Sequence, residues 1–285
     1  MKPQHLALAA VIAAVWGLNF TMIRFGLDQF TPLSFAAWRF VVGALPVLVL
    51  PRPNVSWKVL VGIGVFLFGG QFAFLFFAMV AGLPPGLSSV LVQLHGPLTL
   101  VLAALFLRER ASRGQWAGLA VALIGVLLIA RSVEGSVGPL AVGIALLSAL
   151  SWAVGNLFLR EGRGTSVLAV TAWGCLLPPI PFLVAGLAID GVDRTFAPVL
   201  HPTWWGTFVL LYTVVPVMWL GYWIWGTLLR TYPAAKAGPV SLLVPCCALG
   251  FSAAITGEAI GGLRLIGVVV VLGGVALGMF ATGKR

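Results

Sequence analysis

Charged side chains are scarce in this chain of 285 residues. Only 8% of the residues are Asp, Glu, Lys or Arg, whereas 60% are hydrophobic. A soluble domain of this size needs a polar exterior, because its surface faces water. The composition therefore excludes a soluble globular protein and predicts a membrane protein with several spans.

Carboxylates are missing from the predicted membrane interior. All seven acidic residues lie in predicted loops or at helix ends, namely Asp28, Glu109, Glu134, Glu161, Asp190, Asp193 and Glu258. A carboxylate inside the membrane is the usual means of recruiting cationic drugs, and it serves many proton-driven transporters. Its absence disfavours a cation-selective drug pump.

Catalytic and metal-binding motifs are missing as well. The three cysteines, Cys175, Cys246 and Cys247, lie in apolar runs without metal-ligand spacing, so they are interpreted as packing residues. The chain has no GxSxG, no HExxH and no phosphate loop. We therefore predict no enzyme activity, no metal and no cofactor.

Long apolar runs fill most of the chain, and about 20 residues suffice to cross the hydrocarbon core. The first run contains Trp16 and Asn19 and is predicted to be a helix rather than a signal peptide. Ten spans are predicted: Leu6–Ile23, Pro32–Leu50, Lys58–Ala81, Pro85–Leu107, Gln115–Ala130, Val137–Leu159, Val167–Ile189, Trp204–Leu228, Pro233–Thr256 and Gly261–Ala281.

Basic residues set the predicted orientation. If the N-terminus is cytoplasmic, 12 of the 17 Lys and Arg residues lie on the cytoplasmic side. The other five are Arg39, which lies within a span, and Arg24, Arg131, Arg194 and Arg264, which lie outside. Cytoplasmic loops carry an excess of cations, so both termini are predicted to be cytoplasmic. The net charge of +10 then follows from topology and from attraction to the lipid bilayer, and no nucleic-acid partner is predicted.

The second half of the chain repeats the first. Pro85 and Pro97 precede Pro233 and Pro245 by 148 residues, and Glu109, Gly118 and Gly125 precede Glu258, Gly267 and Gly274 by 149. Five helices per repeat is an odd number, so the second copy enters the membrane inverted. The predicted fold is all-α, with ten transmembrane helices as two inverted five-helix repeats, residues 1–135 and 136–285, around a central cavity. Such repeats allow alternating access by rocking.

Several stretches resemble a known family. They are VWGLNFTMIRFGL (Val15–Leu27), QFAFLFFAM (Gln71–Met79), PPGLSSVLVQLHGPLT (Pro84–Thr99), SWAVGNLF (Ser151–Phe158), GYWIWGTLLRTY (Gly221–Tyr232) and PVSLLVPCCALGFSAAITGE (Pro239–Glu258). They resemble the drug/metabolite transporter superfamily, within it the EamA family, and most closely its O-acetylserine/cysteine exporter branch. The resemblance implies a bacterial inner-membrane exporter of small amino acids or related metabolites.

Other substrates remain as alternatives. A broad-specificity drug or metabolite efflux protein and an exporter of aromatic or other amino acids both agree with the resemblance. A nucleotide-sugar exchanger would be expected to hold more basic residues inside its spans than Arg39 alone. The oligomeric state stays open.

Polar and aromatic residues inside the spans are the candidate substrate site. Trp16 and Asn19 share one face of the first helix, and Trp152 and Asn156 share one face of the sixth. They either form an aromatic wall with an amide for the ligand or serve as interhelical hydrogen bonds and packing. Arg39 either binds a substrate carboxylate or satisfies helix-end carbonyls near the interface.

The fourth helix carries two polar stripes. One holds Ser89, Gln93 and Pro97, and the other holds Ser88, His95 and Thr99. One stripe is expected to face the cavity, and Pro97 is expected to kink the helix. His95 is either a proton carrier or a neutral histidine with one hydrogen bond, so proton antiport and facilitated export both remain open.

Five further residues complete the predicted site. Gln71 and Phe72 in the third helix and Trp219 and Tyr222 in the eighth combine aromatic and polar groups, which suits a small amphipathic ligand. Ser241, flanked by Pro239 and Pro245, is expected to lie where the broken ninth helix exposes carbonyls to an ammonium group. The motifs Gly114-x3-Gly118 and Gly274-x3-Gly278 predict close helix approach.

Overall fold

The computed structural model describes residues 2–107, 112–132, 138–161, 165–232 and 241–281. All regular elements within these ranges are helices. The predictions that concern Glu109, Pro233 and Pro239 lie outside the described residues.

Ten apolar helices make up the described bundle. They are α1 (Pro3–Gly26), α2 (Pro32–Leu48), α3 (Trp57–Val80), α4 (Pro85–Phe106), α5 (Arg113–Arg131), α6 (Pro139–Glu161), α7 (Val167–Ile189), α8 (Trp204–Leu228), α9 (Leu243–Thr256) and α10 (Gly262–Phe280). Eight of them are long and apolar enough to cross a membrane, and α2 and α9 are shorter. The chain is therefore a multi-pass membrane protein.

Hydroxyl side chains define where several helices begin. Thr31 Oγ1 accepts a hydrogen bond from the backbone N–H of Ser34 at the start of α2, and Ser56, Ser166 and Thr203 do the same for α3, α7 and α8. Each bond satisfies one of the free amides of the first turn. These residues sit directly before apolar runs, which explains why the predicted starts agree with the structure to within a few residues.

Five spans depart from regular α-helix. Helix α2 ends in a 3₁₀ segment at Leu45–Leu48, and α7 is interrupted at residues 175–178. Residues Ile63–Gly70 of α3 and Val215–Leu220 of α8 are π-helical. Helix α4 is interrupted at Gln93 and Leu94, four residues before Pro97. Since Pro97 has no N–H, the carbonyl of Gln93 instead accepts from Gly96 N at 3.2 Å. The predicted kink is confirmed.

Four glycines bring α5 and α10 into backbone contact. A Cβ added at Gly118 would lie 2.7 Å from the carbonyl oxygen of Gly274, and one added at Gly125 would lie 2.8 Å from that of Gly267. No larger residue fits at such distances, so the predicted close approach is confirmed. We call these four residues the glycine seam.

Glu258 ties the start of α4 to the end of α9. Its carboxylate accepts from Gly86 N at 2.8 Å, from Leu87 N at 3.2 Å and from Ser252 Oγ at 2.5 Å. A carboxylate at a helix N-terminus satisfies free amides and complements the helix dipole. Helix α9 ends at Gly257, whose φ of 69° lies in the left-handed region that glycine adopts easily.

One short helix was not predicted. Residues Gly191–Leu200 form an amphipathic helix between α7 and α8. The carbonyl of its Thr195 accepts hydrogen bonds from Ser34 Oγ at 2.9 Å and from Trp38 Nε1 at 3.0 Å. The prediction missed this helix because it searched for runs of about 20 apolar residues.

Candidate functional site

Arg39 lies inside the bundle, near the middle of α2. Only 1% of its surface is exposed, and its Nε and Nη1 atoms have no hydrogen-bond partner among the described residues. Its guanidinium carbon lies 4.0 Å from the centre of the Phe72 ring on α3. These two atoms therefore do not bind helix-end carbonyls of the described residues, so for them the structural alternative for Arg39 is wrong.

The position of Arg39 is energetically costly. A buried polar group without a partner costs about 1–3 kcal/mol, and a charged group costs more. The contact with Phe72 offsets about 2 kcal/mol when a cation–π pair is desolvated. The remaining donor capacity is of the kind that a carboxylate satisfies, because charge-assisted N–H···O bonds are among the strongest in proteins.

The Phe72 ring contacts Arg39, and three further aromatic residues pack against the same hydrophobic core. We call Arg39, Phe72, Tyr222, Trp16 and Trp219 the Arg39 cluster. The Tyr222 ring lies 6.0 Å from that of Trp16. All four aromatic residues are partly exposed although Arg39 is not. The rings of the cluster are thus partly accessible, whereas its cation is covered.

Two indoles of the Arg39 cluster form hydrogen bonds between helices. Trp16 Nε1 donates to the carbonyl of Val217 at 3.0 Å, within the π-helical part of α8. Trp219 Nε1 donates to the carbonyl of Gly43 at 3.3 Å, one turn beyond Arg39 on α2. The Trp16 indole therefore packs and bonds within the bundle, which is the second of the two interpretations given for it.

Two amides lie buried near the same core. Asn19 is 6% exposed, and its Oδ1 atom has no hydrogen-bond partner among the described residues. It is therefore not an interhelical acceptor in this conformation. Gln71 is also buried, and its backbone carbonyl accepts from Ser148 Oγ at 2.8 Å, which joins α3 to α6.

A second cluster joins α4 to α6. The His95 ring stacks on Trp152, with ring centres 4.0 Å apart and planes inclined by 15°. Asn156 Nδ2 lies 3.4 Å from His95 Nδ1 and donates to Thr99 Oγ1 at 3.1 Å. Thr99 Oγ1 in turn donates to the His95 carbonyl at 2.6 Å. We call these four residues, all partly exposed, the His95 cluster.

The other polar stripe of α4 packs against the segment that precedes α9. Gln93 Nε2 donates to the carbonyl of Ser241 at 3.1 Å. These two residues are 148 positions apart, the spacing that relates Pro85 to Pro233. The structure therefore brings repeat-equivalent positions into direct contact. Sequence could not show this, because the acceptor is a backbone atom.

One cavity among the described residues lies apart from the two clusters. A cavity of about 420 Å³ lies at the end of the bundle where α1 ends and α4 begins, and Arg24 and Pro85 are among its lining residues. None of the twelve predicted site residues lines it. Cys175 is buried as predicted, whereas Cys246 is exposed. The described ranges contain no group of three His, Cys, Asp or Glu side chains suited to a metal ion.

Comparison with protein families gives a match over nearly the whole chain. The model of the EamA-like transporter family matches residues 5–131 and 139–280. A protein of Salmonella typhimurium named "Probable amino-acid metabolite efflux pump" is 37% identical over 98% of this chain and 95% of its own length. A protein of Escherichia coli with the same name is 36% identical over 100% and 98%.

More distant proteins share the fold. The "Uncharacterized transporter YdfC" of Bacillus subtilis is 26% identical over 96% of this chain and 90% of its own length. A solved crystal structure covers 98% of both chains with a TM-score of 0.62 at 17% sequence identity. At that identity the likeness concerns the fold alone.

Proposed function

Because the chain belongs to the EamA-like transporter family, we propose that it exports small amino acids or related metabolites across the bacterial inner membrane. That family is a class of transporters and not of enzymes. The names of the two relatives above 35% identity support the substrate class. The excess of cations in the loops assigned to the cytoplasm supports export from that side, with both termini cytoplasmic.

The unmet donors of Arg39 are the observation that carries this proposal. A cation that is buried in a bundle without a carboxylate partner lowers the stability of the fold. Its presence therefore points to a role other than stability. A carboxylate is common to all amino acids and to most of their derivatives. The partly exposed rings of Phe72, Tyr222 and Trp219 supply apolar surface for the rest of a small ligand.

Alternating access of two inverted repeats is the proposed mechanism. A two-fold relation requires that each contact between the halves occurs twice with the partners exchanged. With the spacing of 149 residues, Gly118 corresponds to Gly267 and Gly125 corresponds to Gly274. The glycine seam pairs Gly118 with Gly274 and Gly125 with Gly267, which is that exchange.

Helix packing follows the same exchange. Helix α1 packs against α8 and α9, and α6 packs against α3 and α4, which are the corresponding helices of the other half. The two π-helical segments also lie in corresponding helices, α3 and α8. These features support residues 1–135 and 136–285 as the two repeats.

We propose further that the substrate gradient drives export. Asn156 directs its amide nitrogen, a donor, toward His95 Nδ1, and this nitrogen can accept only when it carries no proton. A neutral His95 that stacks on Trp152 fits the structural interpretation of this residue. Proton antiport through His95 is the second candidate, because in the predicted spans no other side chain that titrates near neutral pH is available.

Counterflow in proteoliposomes tests the proposal. Vesicles loaded with a mixed amino-acid pool are expected to take up labelled amino acid without a pH gradient. Arg39→Met should abolish this uptake, whereas Arg24→Met, which removes an exposed cation paired with Asp28, should not. Flux that requires a pH gradient would instead favour antiport through His95. No amino-acid flux under either condition would refute the substrate class.

A further inference from the structure

We propose that the Arg39 cluster selects carboxylates with a net negative charge, whose amino group is absent or blocked, over zwitterionic amino acids. This inference rests on the proposed function and narrows its substrate class.

The bundle interior carries a single formal charge among the described buried residues. The buried polar side chains are Ser, Thr, Asn and Gln, together with Arg39. No acidic residue lies in any predicted span. A monoanion therefore neutralises the site when it binds, whereas a zwitterion leaves the net charge of Arg39 in place.

An ammonium group would need acceptors beside Arg39, since it carries three donors and no acceptor. The carbonyls of Val217 and Gly43 border the cluster, but they accept from the indoles of Trp16 and Trp219. The Phe72 ring, which could attract a cation, already faces the guanidinium at 4.0 Å. Arg39 thus has two donors without a partner among the described residues, whereas each of these two carbonyls already accepts one hydrogen bond.

Asn19 offers the competing arrangement. Its Oδ1 atom is a buried acceptor without a partner among the described residues. It would receive an ammonium group if the ligand were a zwitterion that spans α1 and α2. None of the described contacts joins Asn19 to Arg39, and the two arrangements make opposite predictions for substitution of Asn19.

The walls of the site favour an apolar substituent on the carboxylate. Phe72, Trp219 and Tyr222 are partly exposed, and burial of a ligand against them removes apolar surface from water. Three probes share one aromatic side chain and differ only in the amino group: phenylalanine, N-acetylphenylalanine and the corresponding 2-oxo acid. The charge of the ligand is thereby separated from its shape.

The experiment measures inhibition of counterflow by each probe in proteoliposomes of the full chain. The N-acetyl and 2-oxo acids are expected to inhibit at concentrations at least about tenfold lower than phenylalanine. Arg39→Lys keeps the cation and should retain this preference. Arg39→Met, which is expected to abolish counterflow, should abolish the preference in binding. Asn19→Ala should leave the preference unchanged. Quenching of tryptophan fluorescence by the same probes in detergent provides a binding readout that needs no flux.

Two results would overturn the inference. Equal or stronger inhibition by phenylalanine, weakened by Asn19→Ala, would assign the site to zwitterions and leave the proposed function intact. Absence of both counterflow and binding for amino acids and for the two anions would refute the inference and the proposed function together.

Discussion

In the Arg39 cluster a buried cation has two nitrogens without partners among the described residues, whereas in the His95 cluster the polar side chains bond one another. Arg39 itself is covered although the four rings of its cluster are partly exposed, whereas all four residues of the His95 cluster are partly exposed. Both contain a tryptophan from corresponding helices, Trp16 on α1 and Trp152 on α6. Trp16 donates a hydrogen bond to α8, and Trp152 stacks on a histidine.

This difference distinguishes polar side chains that stabilise the fold from polar side chains that are available to bind a ligand. Side chains that satisfy one another stabilise the packing of helices and leave little capacity for a ligand. A buried group that is left unsatisfied destabilises the fold and gains most when a ligand satisfies it. The Arg39 cluster is therefore the better candidate for substrate recognition, and the His95 cluster for the coupling of α4 to α6.

The largest expected effect comes from removal of the unpaired charge. Arg39→Met keeps a long side chain and removes the buried cation, so it should abolish exchange and yet leave the protein as stable or more stable. A gain of about 1 kcal/mol would raise the midpoint of thermal unfolding in detergent by roughly 2–4 °C. Loss of stability on this substitution would show that Arg39 is structural and would remove the contrast between the two clusters.

An intermediate effect is expected from loss of the ring stack. Trp152→Ala removes the partner of His95, and an aromatic pair contributes about 0.5–1.5 kcal/mol beyond its buried area. Transport should fall roughly 2- to 10-fold while the protein remains folded and inserted. Trp152→Phe, which keeps a ring in place, is the matched control and should stay close to wild type in the same counterflow measurement.

The smallest effect is expected from His95→Phe. This substitution keeps a ring against Trp152 and removes the 3.4 Å contact with Asn156, a long contact whose loss should cost less than the about 1 kcal/mol of a typical hydrogen bond. The dependence of counterflow on pH should remain that of the wild type. A change in that dependence, or loss of transport driven by a proton gradient, would show that His95 carries the coupled proton.

Sequence was sufficient for the ten apolar helices and for the interruption of α4, but not for the interruption of α7 at residues 175–178. Alternation of apolar runs with Pro, Ser and Thr fixed the ends of α7 and α8 as observed, and Pro97 indicated the interruption of α4. These features are local, since they depend on helix length, capping and a missing N–H. The glycine spacing likewise indicated that α5 and α10 approach closely.

The partners of the site residues could not be predicted. Trp16 and Trp152 occupy similar local sequences, but one meets a carbonyl that lies in a π-helical segment and the other meets an imidazole. Which of these occurs depends on the helix across the bundle. The π-helical segments were missed for the same reason, because they depend on tertiary contacts and not on local periodicity. The helix Gly191–Leu200 was missed because ten amphipathic residues do not form an apolar run long enough to cross a membrane.

Both helices of the glycine seam, α5 and α10, belong to one polypeptide, and this has a thermodynamic consequence. Two segments of one polypeptide meet at an effective concentration that reaches the millimolar range for short flexible linkers. If the two helices belonged to separate subunits, the same contact would have to hold the subunits together at far lower subunit concentrations. Helices α5 and α10 are spared that requirement, so their contact can be weak enough to slide without risk of dissociation.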